Sequence, residues 1–221
     1  MGRGKLLKFE DNTNSRNVIQ YGKPLFQSIK GNWSEYFGNT NPLVMELACG
    51  RGEYSTGLAK EFPLKNFVGV DIKGARIWNG SQFASRNELT NVAFLRTHIQ
   101  NLEDHFEDDE VSEIWIIHPD PRPKDSDERR RMTNNRFLDM YKKLISPGGI
   151  IRFKTDNTVL YEFTLETLRG RSDVSIDDHT DDLYQSDMHL EHHGIITKYE
   201  DEFTSDGHMI KSIKFSFEDH K

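Results

Sequence analysis

Several features that mark particular classes of protein are missing from this sequence. Its single cysteine, Cys49, cannot form an internal disulfide. No apolar run approaches the roughly 18 residues that a membrane span requires. Residues 1–17 lack the apolar stretch and the small-residue cleavage site of a signal peptide. These absences predict a cytoplasmic protein with no membrane-spanning segment.

Internal repeats, low-complexity tracts and Gly/Ser linkers are also absent. The chain of 221 residues is long enough for one α/β domain, because domains usually hold roughly 100–200 residues. Residues 1–40 are polar and aromatic without a clear period, so we interpret them as an N-terminal arm or capping segment. Residues 41–221 are predicted to form a single domain.

The sequence lacks an excess of positive charge. Its formal net charge is -7, which argues weakly against a protein coated in nucleic acid. Basic residues are nevertheless concentrated between 122 and 136. A basic patch on an acidic protein directs a polyanion to one place, whereas the plainer interpretation is a solvated helix start. Charge alone leaves both interpretations open.

Strand-like and helix-like runs alternate from residue 43 onward. The strand-like runs are 43–48, 66–72, 91–97, 111–118 and 149–156, and the helix-like runs are 52–62, 73–89, 134–145 and 157–170. This alternation predicts a doubly wound α/β fold with a mostly parallel sheet. Apolar and polar residues alternate over 208–218, which predicts an antiparallel edge strand.

The first predicted strand runs into a glycine turn within "ELACGRGEY", residues 46–54. Gly50 and Gly52 allow the backbone to turn tightly and to approach a ligand at the carboxyl end of the strand. The third glycine of the dinucleotide fingerprint is missing, which disfavours NAD. Asp71 ends the second strand about 20 residues further on, where an acid can hydrogen-bond ribose hydroxyls.

The charge around this turn indicates what kind of ligand it binds. Glu46 and Glu53 would repel a pyrophosphate but attract a ligand with ammonium and sulfonium groups, so S-adenosylmethionine fits better than NAD. The alternative for Glu46 is a strand carboxylate that accepts a hydrogen bond from a backbone amide. For Cys49, a small buried residue is favoured over a nucleophile.

Two further strand ends carry aspartates. "HPDP" (118–121) follows the fourth strand and "KTDN" (154–157) follows the fifth. Both strand ends face the same edge of the predicted sheet, so Asp120 and Asp156 are predicted to share one pocket. Taken singly, each aspartate is equally typical of a turn or a helix cap.

The chain resembles the bacterial, single-subunit tRNA (guanine-N7-)-methyltransferase family. The resemblance rests on "ELACGRGEY", "NFVGVDIK", "HPDPRPK" with the following "RRR", "FKTDN" and "TKYEDEF", which occur in the family's order and spacing. It implies the class I S-adenosylmethionine-dependent methyltransferase fold, a Rossmann-like, mostly parallel seven-stranded sheet. It also implies transfer of a methyl group to N7 of a guanosine in the variable loop of tRNA.

The resemblance implies roles for individual residues of this sequence. The expected cofactor contacts are Glu46, Gly50, Gly52, Asp71, His98 and Asp120, of which Asp120 is also the expected catalytic residue. The expected substrate contacts are Lys124, Asp156, Thr197, Lys198, Tyr199 and Glu200. From the basic cluster we also expect RNA backbone contacts by Arg122, Arg129, Arg130 and Arg131. Carboxylates accept hydrogen bonds from the N1–H and the exocyclic amine of guanine, a donor pair that adenine does not present, so we further hypothesise that Asp156 and Glu200 select guanine.

The sequence departs from the family pattern at three places. The usual F-P-D-P-W-P-K is here His118-Pro119-Asp120-Pro121-Arg122-Pro123-Lys124, so an aromatic residue has become Arg122. Ser126-Asp127 stands where an Arg-His pair is usual, and His98 stands where an acid is usual. Two other functions therefore stay open, a small-molecule methyltransferase and a noncatalytic RNA-binding protein. A metal site is not expected, and the sequence fits either a monomer or a homodimer.

Overall fold

The strands form one twisted, mostly parallel sheet. The structure is a computed structural model that describes residues 3–218. Residues 1–2 of the predicted N-terminal segment and residues 219–221 of the predicted domain lie outside the described residues. The strands are β1 (Val18–Gln20), β2 (Leu43–Leu47), β3 (Asn66–Val70), β4 (Val92–Arg96), β5 (Val111–Ile117), β6 (Ile145–Thr155), β7 (Val174–Thr180) and β8 (Lys211–Phe217). Their order is β1-β4-β3-β2-β5-β6-β8-β7, and only β8 runs antiparallel to its neighbours.

The predicted fold class is confirmed, with two differences in the sheet. It has eight strands rather than seven, because β1 comes from the segment expected to be an arm and pairs with β4. The predicted edge strand β8 lies between β6 and β7, so β7 is the edge. The exposed polar residues Asp177, Asp178 and His179 suit β7 to that position, because a polar edge resists pairing with other chains.

Helices cover both faces of the sheet. They are α1 (Arg3–Asn14), α2 (Leu25–Ser28), α3 (Trp33–Phe37), α4 (Glu53–Glu61), α5 (Gly74–Arg86), α6 (Asn135–Leu144), α7 (Thr158–Arg169) and α8 (Lys198–Ser205). The helices α4 to α7 coincide with the four predicted ones. Asn157 caps α7 as expected, since its Oδ1 accepts a hydrogen bond from Leu160 N at 2.8 Å.

Side chains that alternate along the strands divide the core in two. Met45 on β2 belongs to a cluster that includes residues of α3, α6 and α7, whereas its neighbour Val44 belongs to a cluster with residues of α4 and α5. This follows from the two-residue period of a strand, which sends successive side chains to opposite faces. Burial on both faces explains why the predicted strands are continuously apolar.

The N-terminal segment packs onto the domain. Asn12 on α1 donates a hydrogen bond from Nδ2 to Gly74 O at 2.7 Å, and Trp78 Nε1 donates to Asp11 Oδ2 at 2.7 Å. The helix α1 is therefore attached to α5. Among the described residues, none of the helices combines the length and the apolarity needed to cross a membrane.

Candidate active site

The carboxyl ends of the parallel strands bring most of the predicted site residues to one edge of the sheet. The strands β3, β2, β5 and β6 are consecutive neighbours, so the loops that follow them lie side by side. In open α/β sheets, ligands bind in the crevice outside these strand ends. The loops after β2 and β3 are here called the cofactor half, and the loops after β5 and β6 together with the start of α8 are called the substrate half.

The glycine turn of the cofactor half requires glycine for two different reasons. Gly50 and Gly52 have φ values of 55° and 73°, which side-chain-bearing residues rarely adopt. A Cβ on Gly52 would also lie 2.5 Å from Cε1 of Phe94 and 3.3 Å from Cα of Gly80. The turn therefore allows α4 to start close against the Phe94 ring and α5.

Asp71 joins the two loops of the cofactor half. Its Oδ2 accepts a hydrogen bond from Gly50 N at 3.0 Å, and its Oδ1 accepts one from Lys73 N at 2.8 Å. The side chain is buried, and these two backbone donors fix its orientation. Each carboxylate oxygen has a second lone pair, so Asp71 remains able to accept hydrogen bonds from ribose hydroxyls.

Glu46 lies on β2 beneath the glycine turn and is buried. Its Oε2 accepts hydrogen bonds from Ser55 N at 2.7 Å and from the Ser55 hydroxyl. Burial raises the pKa of Glu46 to about 8; the Ser55 hydrogen bonds oppose this shift, and the nearby charges of Glu53 and Asp71 add to it. Near neutral pH the carboxyl group therefore mostly holds a proton. The backbone contact is the one anticipated in the alternative interpretation.

Glu53 and His98 border the cofactor half. Glu53 begins α4, and its Oε1 accepts a hydrogen bond from Lys198 N at 3.3 Å, which links the cofactor half to the start of α8. His98 is exposed, and it immediately precedes the short 3-10 helix Ile99–Asp104 after β4. Since β4 neighbours β3, His98 lies at the same edge of the sheet as Asp71.

The loop after β5 presents Asp120 at the surface. His118 turns the chain with a φ of 45°, and the Asp120 side chain beyond it is 62% exposed. Arg122 contacts Asp120 through its Nη2, which lies 3.2 Å from Oδ2. Asp120 is thus accessible to a ligand, and its only ion-pair partner among the described residues is the arginine that departs from the family pattern.

Asp156 lies at the end of β6 next to the same loop. Its Oδ1 is 3.3 Å from His118 Nδ1, and its side chain is 14% exposed. Burial acts to raise the pKa of Asp156, but the hydrogen bond and the charge of His118 outweigh it and hold that pKa below the usual value. The carboxyl group is therefore ionised at neutral pH and partly accessible, as a substrate contact requires.

Glu200 does not occupy the position that was predicted for it. It is fully buried on α8, and Lys154 Nζ donates to its Oε1 at 2.8 Å and to its Oε2 at 2.7 Å. Tyr184 OH also donates to Oε1, at 2.6 Å, and His118 Nε2 lies 3.5 Å from Oε2. With its oxygens engaged inside the protein, Glu200 cannot select guanine directly, so that part of the hypothesis is wrong for this arrangement.

Glu200 belongs to a buried network of charged and polar side chains. Burial acts to raise the pKa of Glu200, but His118, Lys154 and Tyr184 together lower it to about 2. Burial lowers the pKa of Lys154, although Glu200 opposes that shift. Lys154 also donates to the hydroxyl of Tyr54. Because Lys154 contacts both carboxylate oxygens of Glu200, the charges of these two side chains compensate each other away from water. Such pairing is the condition for burying charged groups.

Sequence reasoning missed five members of this network, namely His118, Lys154, Tyr184, Tyr54 and His192. Tyr54 OH lies 2.8 Å from Nδ1 of His192, so Tyr54 and His192 extend the chain of contacts that includes Lys154 and Tyr184. Burial and Lys154 lower the pKa of His192 to about 2, so its ring is neutral. One signal was available in the sequence, because a lysine within the apolar strand "GIIRFKT" is rarely buried without a partner.

The start of α8 presents the remaining predicted substrate residues. Thr197 caps the helix, since its Oγ1 accepts a hydrogen bond from Glu200 N at 3.1 Å. Tyr199 is 44% exposed, and its ring stacks on Phe203 with centroids 4.2 Å apart. Lys198 is exposed and lies 3.6 Å from Glu202. The start of the helix thus presents an exposed aromatic ring and an exposed cationic side chain.

The basic segment after β5 is divided between exposed and buried arginines. Lys124 and Arg129 are exposed, and Arg130 is exposed but lies 3.0 Å from Asp127. Arg131 is only 5% exposed, with its guanidinium 4.4 Å above the ring of Phe163.

The prediction that Arg131 contacts the RNA backbone therefore requires a correction. Its Nε donates to Arg122 O at 3.3 Å, so it shapes the loop from inside and does not face a phosphate. The Asp127–Arg130 pair accounts for one of the acids in this segment.

A metal site does not emerge from the described residues. Among residues 3–218, no three or more His, Cys, Asp or Glu side chains converge in a way that would hold a metal ion. Of the clustered histidines, His192 is buried against Tyr54, while His189 and His193 are exposed.

Comparisons with known proteins agree with this geometry. A family model described as "Putative methyltransferase" matches residues 40–213. A tRNA (guanine-N(7)-)-methyltransferase of Cytophaga hutchinsonii is 47% identical over 98% of this chain and 99% of its own length. One of the same name from Bacteroides thetaiotaomicron is 40% identical over 97% of this chain and 86% of its own length.

Solved structures support the fold. The 16S rRNA methyltransferase KamB superposes with a TM-score of 0.64 at 13% identity, covering 86% of this chain and 94% of that protein. A 30S ribosomal A1408 methyltransferase from an uncultured bacterium superposes with a TM-score of 0.60 at 15% identity, covering 85% of this chain and 93% of that protein. At these identities the likeness concerns the fold alone.

Proposed function

The chain belongs to the tRNA (guanine-N(7)-)-methyltransferase family, and from that premise we propose that it transfers the methyl group of S-adenosylmethionine to N7 of a guanosine in the variable loop of tRNA. One observation carries the proposal, namely 47% identity to a relative of that name along nearly the whole length of both chains. Because the substrate is a tRNA, the proposal places the reaction in the cytoplasm.

The cofactor half has the chemistry to hold S-adenosylmethionine. Asp71 would bind the ribose hydroxyls, and the glycine turn at Gly50 and Gly52 would allow the ligand to approach the backbone. Glu46 and Glu53 would favour the cationic amino-acid portion. The bound cofactor supplies an electrophilic methyl group, and the residues of this half hold and orient it.

The substrate half can supply what methylation at N7 needs. The N7 lone pair attacks without losing a proton, so the protein needs no general base, and alignment can contribute roughly 7–11 kcal/mol. Asp120 and Asp156 place negative charge where the purine becomes positive during transfer. The accessible ring of Tyr199 offers a face on which a base can stack. In this arrangement Asp156 takes the guanine-selecting role that had been shared with Glu200.

The basic segment would hold the RNA backbone. Extraction of a base from folded RNA costs a few kcal/mol, which phosphate contacts on either side of it offset. Lys124, Arg129 and Arg130 are exposed for this purpose. Arg122 would release Asp120 and bind either a phosphate or a base, since guanidinium groups do both.

A methyl-transfer assay tests the proposal. Purified protein is incubated with labelled S-adenosylmethionine and unmodified tRNA transcripts that carry either guanosine or adenosine at the variable-loop position, and the nucleosides are then analysed. We expect 7-methylguanosine only from the guanosine transcript. Cofactor binding without transfer to any tRNA would contradict the proposal and favour a small-molecule methyltransferase.

A further inference from the structure

His118 contacts two acids in the substrate half, although the proposed chemistry requires no histidine. Its Nδ1 lies 3.3 Å from Oδ1 of Asp156, and its Nε2 lies 3.5 Å from Oε2 of Glu200. The side chain is 5% exposed, so both contacts are shielded from water. The related motif has phenylalanine at this position, and phenylalanine makes neither contact.

The backbone holds the imidazole in place. His118 N donates to Lys154 O at 2.8 Å, which continues the pairing of β5 with β6 by one residue. The positive φ of 45° then turns the chain, and the centroid of the His118 ring lies 5.4 Å from that of the Tyr199 ring. Asparagine and histidine tolerate this backbone conformation better than most residues.

Charged groups of both signs lie around the ring. Asp156 and Glu200 bring two negative charges, and Lys154 supplies one positive charge through its contacts with Glu200. The other titratable group that the ring contacts is the neutral phenol of Tyr199. Because the Asp156 carboxylate can only accept, Nδ1 is the donor of the hydrogen bond between the two side chains, whereas Nε2 faces Glu200 at ion-pair distance without a hydrogen bond.

We propose that His118 is a positioning residue: its ring bridges Asp156 and Glu200, with Nδ1 hydrogen-bonded to Asp156, and thereby holds the Asp156 carboxylate in one orientation against the start of α8. The proposal rests on the proposed function, because it assigns His118 an effect on tRNA through Asp156. Glu200 is then the internal anchor of the bridge rather than a contact of the base.

The kinetic test compares wild type with His118→Phe, His118→Asn, Asp156→Asn and the double variant His118→Phe/Asp156→Asn. We expect His118→Phe to lower kcat/KM for tRNA by about 10–100-fold, the effect of losing a hydrogen bond to a charged group. Affinity for S-adenosylmethionine should stay unchanged. His118→Asn should recover most of the loss, because its amide donates to Asp156 and suits the left-handed backbone.

The double variant separates positioning from general damage. If His118 acts through Asp156, the double variant is no slower than Asp156→Asn alone. Independent losses that multiply would overturn the proposal, as would equal impairment of His118→Asn and His118→Phe. His179→Phe, on the edge strand β7, is the matched control and should keep wild-type kinetics.

Nitrogen NMR of the His118 ring tests the bridge without any assay of activity. We expect Nδ1 to carry a proton that is hydrogen-bonded to Asp156, and the Nδ1 resonance to shift in Asp156→Asn. An Nδ1 without a proton, or an Nδ1 resonance that does not shift in Asp156→Asn, would overturn the proposal. If the ring is bridged but wild type methylates no tRNA, the proposed function fails while the bridge stands.

Discussion

The cofactor half and the substrate half hold their acids by different means. In the cofactor half, Asp71 and Glu46 accept hydrogen bonds from backbone amides, those of Gly50, Lys73 and Ser55. In the substrate half, Glu200 is held by side chains, among them that of Lys154, which lies 46 residues away. A backbone amide cannot leave its place in a turn, whereas a buried side-chain pair depends on packing of the whole domain. The two halves should therefore respond differently to substitution.

The largest effect is expected from breaking the buried pair of the substrate half. Lys154→Met leaves the Glu200 charge uncompensated, which typically costs about 3–5 kcal/mol of unfolding free energy. Urea unfolding measures this loss. Lys198→Met on the same helix as Glu200 is the control, because the exposed Lys198–Glu202 pair contributes at most about 1 kcal/mol. Equal losses in the two variants would contradict the comparison.

The next effect concerns packing in the cofactor half. Gly52→Ala combines a positive φ with a Cβ 2.5 Å from Phe94, so we expect a loss of about 2–5 kcal/mol and much weaker cofactor binding. Gly22→Ala isolates the backbone strain, since Gly22 has a φ of 90° and no described atom lies within 4 Å of the added Cβ. Thermal unfolding of both variants is the measurement. A Gly22→Ala loss as large as that of Gly52→Ala would show that the clash is unimportant.

Asp71→Asn tests the cofactor half through its affinity for S-adenosylmethionine. The amide keeps the shape of the side chain but loses the charge that its backbone and ribose donors favour, so we expect affinity for S-adenosylmethionine to fall by about 10–100-fold. Titration calorimetry measures the change. The exposed Asp108→Asn serves as a control and should bind like wild type. Unchanged affinity of Asp71→Asn would remove the ribose assignment.

The basic segment allows a smaller test within the substrate half. Replacing Arg129 and Arg130 with alanine should raise the KM for tRNA and reduce the slope of log affinity against log salt by about 1–2, since each phosphate contact contributes about 0.7–0.9. Filter binding over a range of salt measures the slope. Arg131→Ala should instead lower stability and leave the slope unchanged. A reduced slope in Arg131→Ala would show that Arg131 contacts the RNA backbone, as first predicted.

The smallest effect is a proton released in the cofactor half. With a pKa raised to about 8, Glu46 is mostly protonated near neutral pH, and a bound cation should ionise it. Calorimetry at neutral pH in buffers of different ionisation enthalpy should show release of a fraction of a proton, and Glu46→Gln should show none. The same raised pKa means that the contribution of Glu46 to stability is present at acid pH and is lost as the pH rises toward about 8. A stability difference between Glu46→Gln and wild type that does not change with pH would contradict this assignment.

Local sequence patterns were sufficient for most of the cofactor half. The G-x-G turn, the strand before it and an acid at the next strand end predicted where Gly50, Gly52 and Asp71 lie, because each of these features is set by residues close in sequence. The cap of α7 by Asn157 was predictable for the same reason. The pattern of β8 was predictable as a strand but not as an inner one, because alternation describes a face and not a neighbour.

The sequence by itself determined the α/β class, the positions of the main strands along the chain and the edge of the sheet at which the acids gather, since periodicity and turn residues act over short distances. Only the tertiary structure decided that Glu200 is internal, that Arg131 faces Phe163 and that His118 lies between two carboxylates. The reason is physical: whether a charged side chain is a ligand contact or an internal partner depends on its desolvation and on its opposite charge, and both come from residues far away in the chain.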